Sequence, residues 1–191
     1  MTDTNEADRP QRRDLFKLGS LGLVGAAAWT LFQQWEYSGA TVTKVAAAAA
    51  ALPTEPAPKP ADDLPGVLDR AVDTVAFPDL KRFGWRAVGA RTDDVAGRSV
   101  VTVYYARGDR QLRYTIVSGA GDVVDAKRAA VEPVTYAGRT MRVVSGIAAT
   151  TTLVLERGGR TVVLTASGAD PALRHTMLRL ASYRAGGRLA F

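Results

Sequence analysis

Side chains that do nucleophilic or metal chemistry are scarce in this chain. Its 191 residues include one histidine, His175, and no cysteine. That excludes disulfides, iron–sulfur clusters, thiolate zinc sites and cysteine nucleophiles, and leaves no multi-histidine metal centre within one chain. A hydrolytic relay of Ser167, His175 and Asp170 can be drawn on paper. No serine, however, sits in the nucleophile-elbow sequence that holds a reactive hydroxyl at a strained turn, so the relay is rejected. His175 lies two positions from both Leu173 and Met177 in a helical pattern, which predicts a surface or boundary histidine.

The oxygen donors give no stronger signal. Asp62-Asp63 and Asp93-Asp94 could ligate calcium, but neither pair has the alternating spacing of a calcium loop; helix-start and turn duties explain them. Gly119-Ala120-Gly121 is too short for a dinucleotide loop, and no helix start follows it. Tyr104, Tyr105 and Tyr114, with Arg107, Arg110 and Arg113 nearby, could build a stacking, cationic surface, though cross-strand packing is the simpler reading. No catalytic residue, metal ligand or cofactor is assigned, and the chain is read as non-enzymatic.

Charge narrows the partners. The net charge is +6, and all of the excess lies in residues 62–191, where nineteen Lys/Arg, seventeen of them arginine, face thirteen Asp/Glu. Guanidinium forks suit carboxylate or phosphate, so an anionic envelope polymer is one candidate partner. No basic cluster is dense enough for a nucleic-acid footprint, and none is expected to bind there.

The elements that would position these groups are mostly strands. A short helix is predicted over Gly66–Val75 from apolar residues at helical spacing after Pro65. Trp85–Arg91 reads as a strand, Asp93-Asp94 and Gly97 as a turn, and Ser99–Arg107 as the clearest strand of the chain. In it Val101, Val103 and Tyr105 alternate with Val100, Thr102 and Tyr104. Gly108-Asp109 leads into Gln111–Ser118, completing a three-stranded meander. Strands at Val134–Tyr136, Thr140–Ser145, Thr150–Glu156 and Arg160–Ala166 follow, the last two joined by Gly158-Gly159, a hairpin signal. A final helix starts with Asp170 and Pro171, stops at Gly186-Gly187 and carries Leu173, Met177, Leu180 and Ala181 on one face. The fold class is α+β: a largely antiparallel sheet of about seven strands, in two meander or hairpin sets, covered by a C-terminal helix.

The beginning of the chain reads as an address. Arg12-Arg13-Asp14-Leu15-Phe16-Lys17 precedes 18 uncharged residues, Leu18 to Trp35, rich in Gly and Ala. The pattern resembles a twin-arginine export signal, with Arg12, Arg13, Leu15, Phe16 and Lys17 at its characteristic positions and Gln11 where Ser or Thr is commoner. The resemblance implies passage of an already folded body through the twin-arginine translocase. Residues 18–35 would hold the chain in the membrane if they are not removed, since their length is near the lower limit for a span. Ser38-Gly39-Ala40 offers a cleavage site, with small residues Ser38 and Ala40, and the alanine run 46–51 offers others. Residues 1–40 are thus read as signal or anchor, 41–61 as an Ala/Pro-rich spacer of extended chain, and 62–191 as the extracytoplasmic domain.

Within that domain, three stretches resemble the extracytoplasmic region of actinobacterial membrane-bound anti-sigma factors. They are Gly84–Arg91, Gly97–Tyr105 with Leu112–Val117, and Glu156–Leu164 followed by Leu178-Arg179-Leu180-Ala181-Ser182-Tyr183. The similarity covers roughly residues 80–186. It implies a sensor or partner-binding module acting through its sheet on an envelope protein. The cytoplasmic helical domain of that family, often with a His-x3-Cys-x2-Cys zinc motif, has no counterpart here: at most about seventeen residues precede the uncharged stretch, too few to enclose a sigma factor. The alternative expectation is an exported hydrolase or ligand-binding protein, favoured only by the export route.

Overall fold

Alternating β-branched and aromatic residues bounded by tight turns produce most of the architecture. The computed structural model describes residues 40–119, 123, 130–145, 147, 150–168 and 171–183. Helix α1 spans Val42–Ala50 and α2 spans Pro171–Ser182. The strands are β1 Val67–Val72, β2 Val75–Pro78, β3 Arg86–Val95, β4 Arg98–Arg107, β5 Arg110–Val117, β6 Ala130–Tyr136, β7 Arg139–Ser145, β8 Thr150–Arg157 and β9 Arg160–Ser167. A 3-10 turn covers Lys81–Phe83. The class is α+β, with two antiparallel sheets.

β1 and β2 form a two-stranded sheet of their own, and the other seven strands form one sheet in the order β3-β4-β5-β9-β8-β7-β6. The two sets read from the sequence join because β5 pairs antiparallel with β9, Leu112 opposite Ala166 and Val117 opposite Thr161. The chain crosses from β5, in mid-sheet, to β6 at the far edge. Central strands are buried on both faces: all of Val100–Tyr105 in β4 is buried. One face, carrying Val101, Val103, Tyr105, Leu112, Tyr114, Ile116, Leu153 and Leu164, lies under α2 and the β1–β2 hairpin. The opposite face, carrying Val100, Val117, Val154 and Val163, packs with Val42 and Val45 of α1. On that second face Thr102 and Thr115, opposite one another, join hydroxyls at 3.0 Å, so neither buried oxygen is left unpaired.

Three expectations change. The helix over Gly66–Val75 is instead the β1–β2 hairpin, turning at Asp73, whose φ is 53°. A bulge between Val67 and Ala71 explains the misleading spacing: Val67 and Leu68 are both buried, which breaks the two-residue alternation and mimics a helical pattern. Of the turn placed at Asp93-Asp94 and Gly97, Gly97 holds its place, with Ala96 beside it and both at positive φ, while Asp93 and Asp94 belong to β3, which runs on to Val95. The largest change concerns 41–61. Far from a bare spacer, it contains α1, capped by the Thr41 hydroxyl accepting from the Lys44 amide, with Val42, Val45, Ala46 and Ala49 buried. Two buried valines contribute about 1.5–3 kcal/mol each over exposure, enough to hold a helix too short to stand alone.

The remainder of that segment is a strap along the sheet edge. The amides of Thr54 and Glu55 donate to the Ala90 carbonyl, Ala90 donates back to Glu55, and Asp69 on β1 donates to Lys59. The strap thus covers part of the β3 edge, and Pro53, Pro56, Pro58 and Pro60 keep it from recruiting a further strand. Arg70 and Thr92 both bond the Glu55 carboxylate, tying hairpin, strap and β3 together. The approach is close at Gly89, where a Cβ would sit 2.6 Å from the Pro53 Cβ. Gly89→Ala is expected to cost about 1–3 kcal/mol of stability through this overpacking, read as a lower urea midpoint. An unchanged midpoint would mean that the strap yields freely.

Candidate functional site

One enclosed polar row lies on the α1 side of the main sheet. Arg113 on β5 stands between Tyr104 on β4 and Thr165 on β9 in one cross-strand row. Its Nε is buried without a hydrogen-bond partner, and the hydroxyl of Thr165, only 2% exposed, is likewise unpaired. Tyr104 completes the row with its hydroxyl donating to the Ala51 carbonyl at 2.7 Å, just past the end of α1. Beside it Arg91 bonds Asp93 and reaches the Leu52 carbonyl.

A second feature lies where β7 and β8 part. Their ladder holds only three register pairs, Arg142–Val154 to Val144–Thr152, whereas β8 and β9 stay paired from Thr150–Ser167 to Arg157–Arg160. Beyond Arg142 a shallow hollow of about 360 Å³ opens, lined by Thr140, Met141, Arg142, Val154, Leu155 and Glu156. A guanidinium, a carboxylate and a hydroxyl beside apolar side chains suit reversible contact with a polar or peptide-like group.

The aromatic cluster expected on the surface divides between the two faces. Tyr105 and Tyr114 point into the core under α2 and the hairpin, and Tyr104 points the other way, also buried. Tyr105 donates to the Pro78 carbonyl at 2.8 Å, and Tyr114 meets Phe77 edge-on at 5.8 Å between centroids. The Tyr114 hydroxyl lies near the Arg157 guanidinium but falls short of hydrogen-bond geometry. Arg107 and Arg110 are exposed in the β4–β5 turn. Cross-strand packing, not a stacking surface, is what these tyrosines do.

Burial pushes all three phenols above their ordinary value, Tyr105 the furthest. The fold therefore favours the neutral phenol. That stabilisation is in place below the ordinary pKa of about 10 and is lost as pH rises through the higher folded values. In alkaline titration of the folded chain Tyr104, Tyr105 and Tyr114 are expected to stay protonated above the ordinary phenol pKa of about 10, and to ionise near it in urea. Coincident phenolate absorbance curves in both states would overturn the assignment.

The remaining candidates separate. His175 is exposed on α2, its ring edge-on to Tyr136 of β6 at 5.6 Å, in keeping with a surface histidine. Ser167 is exposed at the end of β9, and Asp170 lies outside the described residues. Asp94 accepts from the Gly97 amide, the turn duty expected of it, while Asp93 pairs with Arg91 inside β3. Asp62 and Asp63 are exposed in the bends before β1, a strand start and not a helix start. Gly119 adopts positive φ and accepts from Arg98. Among the described residues no group of three potential metal ligands gathers, and no helix is long and apolar enough to cross a membrane. Arg12, Arg13, Leu15, Phe16, Lys17 and Ser38 lie outside the described residues; Ala40 lies within them, buried.

Sequence reasoning passed over Arg142, Glu156 and the Arg113–Thr165 pair. Their only trace in the chain is a charged side chain at alternate positions of strands otherwise rich in Val, Leu and Thr, a pattern that solvated strand faces share. Comparison with models of known protein families, with curated proteins and with solved structures finds no match.

Proposed function

We propose that this chain is an exported or membrane-tethered domain of the cell envelope that acts by binding, in the manner of the sensor region of an anti-sigma factor without its sigma-holding domain. The observation that carries the reading is the order Arg12-Arg13, Leu15-Phe16, Lys17 and then 18 uncharged residues, placed just ahead of a separately folded body. Lys17 ends the charged flank, and the Gly/Ala-rich stretch behind it has the moderate hydropathy such leaders use. On the body, the hollow beside Arg142 and Glu156 is the contact point we assign to an envelope protein.

A polymer of anionic groups is the second partner class, favoured by the arginine excess of residues 62–191. Binding there would weaken steeply with added salt, and salt-insensitive retention in the envelope would exclude it.

The address is tested by changing Arg12 and Arg13 together to Lys. Export of the full chain is expected to stop, with the protein retained in the cytoplasm on fractionation; continued export of the double variant overturns the reading. For the regulatory part, the expected genomic companion is an adjacent gene for an extracytoplasmic-function sigma factor. A redox or hydrolase operon in that place would favour a ligand-processing role instead.

A further inference from the structure

We infer that the 3-10 turn, the β4–β5 turn and the end of α2 together form a cationic surface that binds a polymer of repeated phosphate groups. The inference rests on the anionic-polymer reading above and gives that reading a place and a chemistry.

Four stretches distant in sequence meet here. Arg82 lies over the Phe83 ring at 4.7 Å and over the Tyr183 ring at 4.4 Å, and Arg179 reaches Phe83 from α2 at 5.3 Å. Arg157, at the end of β8, donates to the Tyr183 carbonyl at 2.6 Å. Arg107 joins the group from β4, its Nε 3.4 Å from the place a Cβ on Gly84 would take. Lys81 opens the 3-10 turn. Lys81, Arg82, Arg107 and Arg179 are all exposed.

Counter-charge is lacking. Among the described residues, no carboxylate lies within ion-pair distance of Lys81, Arg82, Arg107 or Arg179. The acids nearest in sequence are Asp79, which accepts from the Lys81 amide, and Asp109, in the β4–β5 turn: two carboxylates against five cations. Like charges gathered in this way repel one another, and the rings that hold Arg82 and Arg179 keep the repulsion from dispersing them.

The arrangement also selects the ligand. A guanidinium held over a ring still presents its N–H fork to phosphate oxygens, and Lys81 adds a point charge. One exposed ion pair holds a lone anion weakly, so a ligand gains from this surface by carrying several charges on one chain. The rings are occupied by Arg82, Arg179 and each other, which leaves no open face for base stacking. A phosphate polymer without bases fits these conditions; a single-stranded nucleic acid does not.

The test measures binding of long-chain inorganic polyphosphate to the full chain in nonionic detergent, across a range of salt. Arg82→Gln, Arg107→Gln and Arg179→Gln combined are expected to raise Kd about tenfold or more. The log–log salt slope should fall by about three, one for each contact removed. Lys44→Gln, Lys59→Gln and Arg174→Gln combined make the same change of charge elsewhere and should leave both quantities near the parent's. Parent-like binding by the first triple variant, or equal losses in the two, overturns the inference and leaves the anionic reading standing. A parent chain that binds neither polyphosphate nor polyglutamate overturns both. Polyglutamate held as tightly as polyphosphate, or inorganic phosphate competing at equal phosphate concentration, overturns the phosphate-polymer assignment. Arg82→Lys with Arg179→Lys keeps the charge and removes the fork, which guards against a Gln variant that fails to fold. Its affinity should fall severalfold at an unchanged salt slope, and parent-like affinity overturns the role given to the stacked guanidiniums.

Discussion

Leu180→Ala is expected to lower the free energy of unfolding by about 2–5 kcal/mol, seen as a fall in the urea midpoint at unchanged slope. Leu180 is fully buried on the sheet side of α2, beside Leu173, Met177 and Ala181. Truncation removes its transfer free energy and leaves a hole between helix and sheet. The walls cannot easily close on that hole, because α2 is held along its length. Arg174 reaches Glu132 on β6, and Arg157 donates to the Ala181 and Tyr183 carbonyls at the helix end. Arg82 and Arg179 stack over Phe83, whose ring meets Tyr183 edge-on at 5.3 Å, fixing the helix end to the 3-10 turn. A wall tied in this way relaxes little, which places the cost in the upper half of the range. Arg174→Ala is the control: an exposed ion pair contributes about 0–1 kcal/mol. Equal losses in the two variants would mean that α2 is held by its charges and not by its apolar face.

That helix was legible in the sequence because local and tertiary signals agree there. Pro171 opens it, and Leu173, Met177, Leu180 and Ala181 repeat at helical spacing and are the residues that become buried. β4 and the Gly158-Gly159 hairpin were legible for the same reason, since alternation and turn chemistry point to one answer. The β1–β2 hairpin was not, because its bulge puts two adjacent apolar residues inward and erases the strand period. Nor was α1. Six consecutive alanines, residues 46–51, between a leader-like stretch and four prolines carry no amphipathic contrast, and Ala46 and Ala49 become core only because a sheet face is waiting for them. The hollow between β7 and β8 escaped for a different reason. It exists because a ladder stops after three pairs, and where a ladder stops depends on the twist of both strands, not on either one's pattern. Elements that satisfy their own local rules were readable; those defined by a partner far along the chain were not.

The correction at α1 carries the other large expected effect. Val45→Asp is expected to cost about 3–6 kcal/mol, from lost burial of the valine and an unpaired carboxyl placed in the α1 cluster. Val45 is 0% exposed, packed with Val100, Val117 and Val163, so water cannot reach the new group without lifting the helix. Against a total stability of about 5–15 kcal/mol, such a loss leaves the domain partly unfolded at ordinary temperature. Its pH dependence has a definite sign. Burial raises the carboxyl's pKa, so the neutral form is favoured in the folded state, and the damage shrinks as pH falls through that raised value. Thr43→Asp, two residues earlier, should do the reverse. Thr43 is exposed in the first turn of α1, which has no acidic residue of its own, and a carboxylate there complements the helix dipole by about 0.3–1 kcal/mol. Urea unfolding of the two variants, at neutral and mildly acid pH, separates the alternatives. In an extended spacer both aspartates would be solvated, and the two curves would overlay the parent's. Opposite signs at positions two residues apart require a helix with one face in water and the other against the sheet.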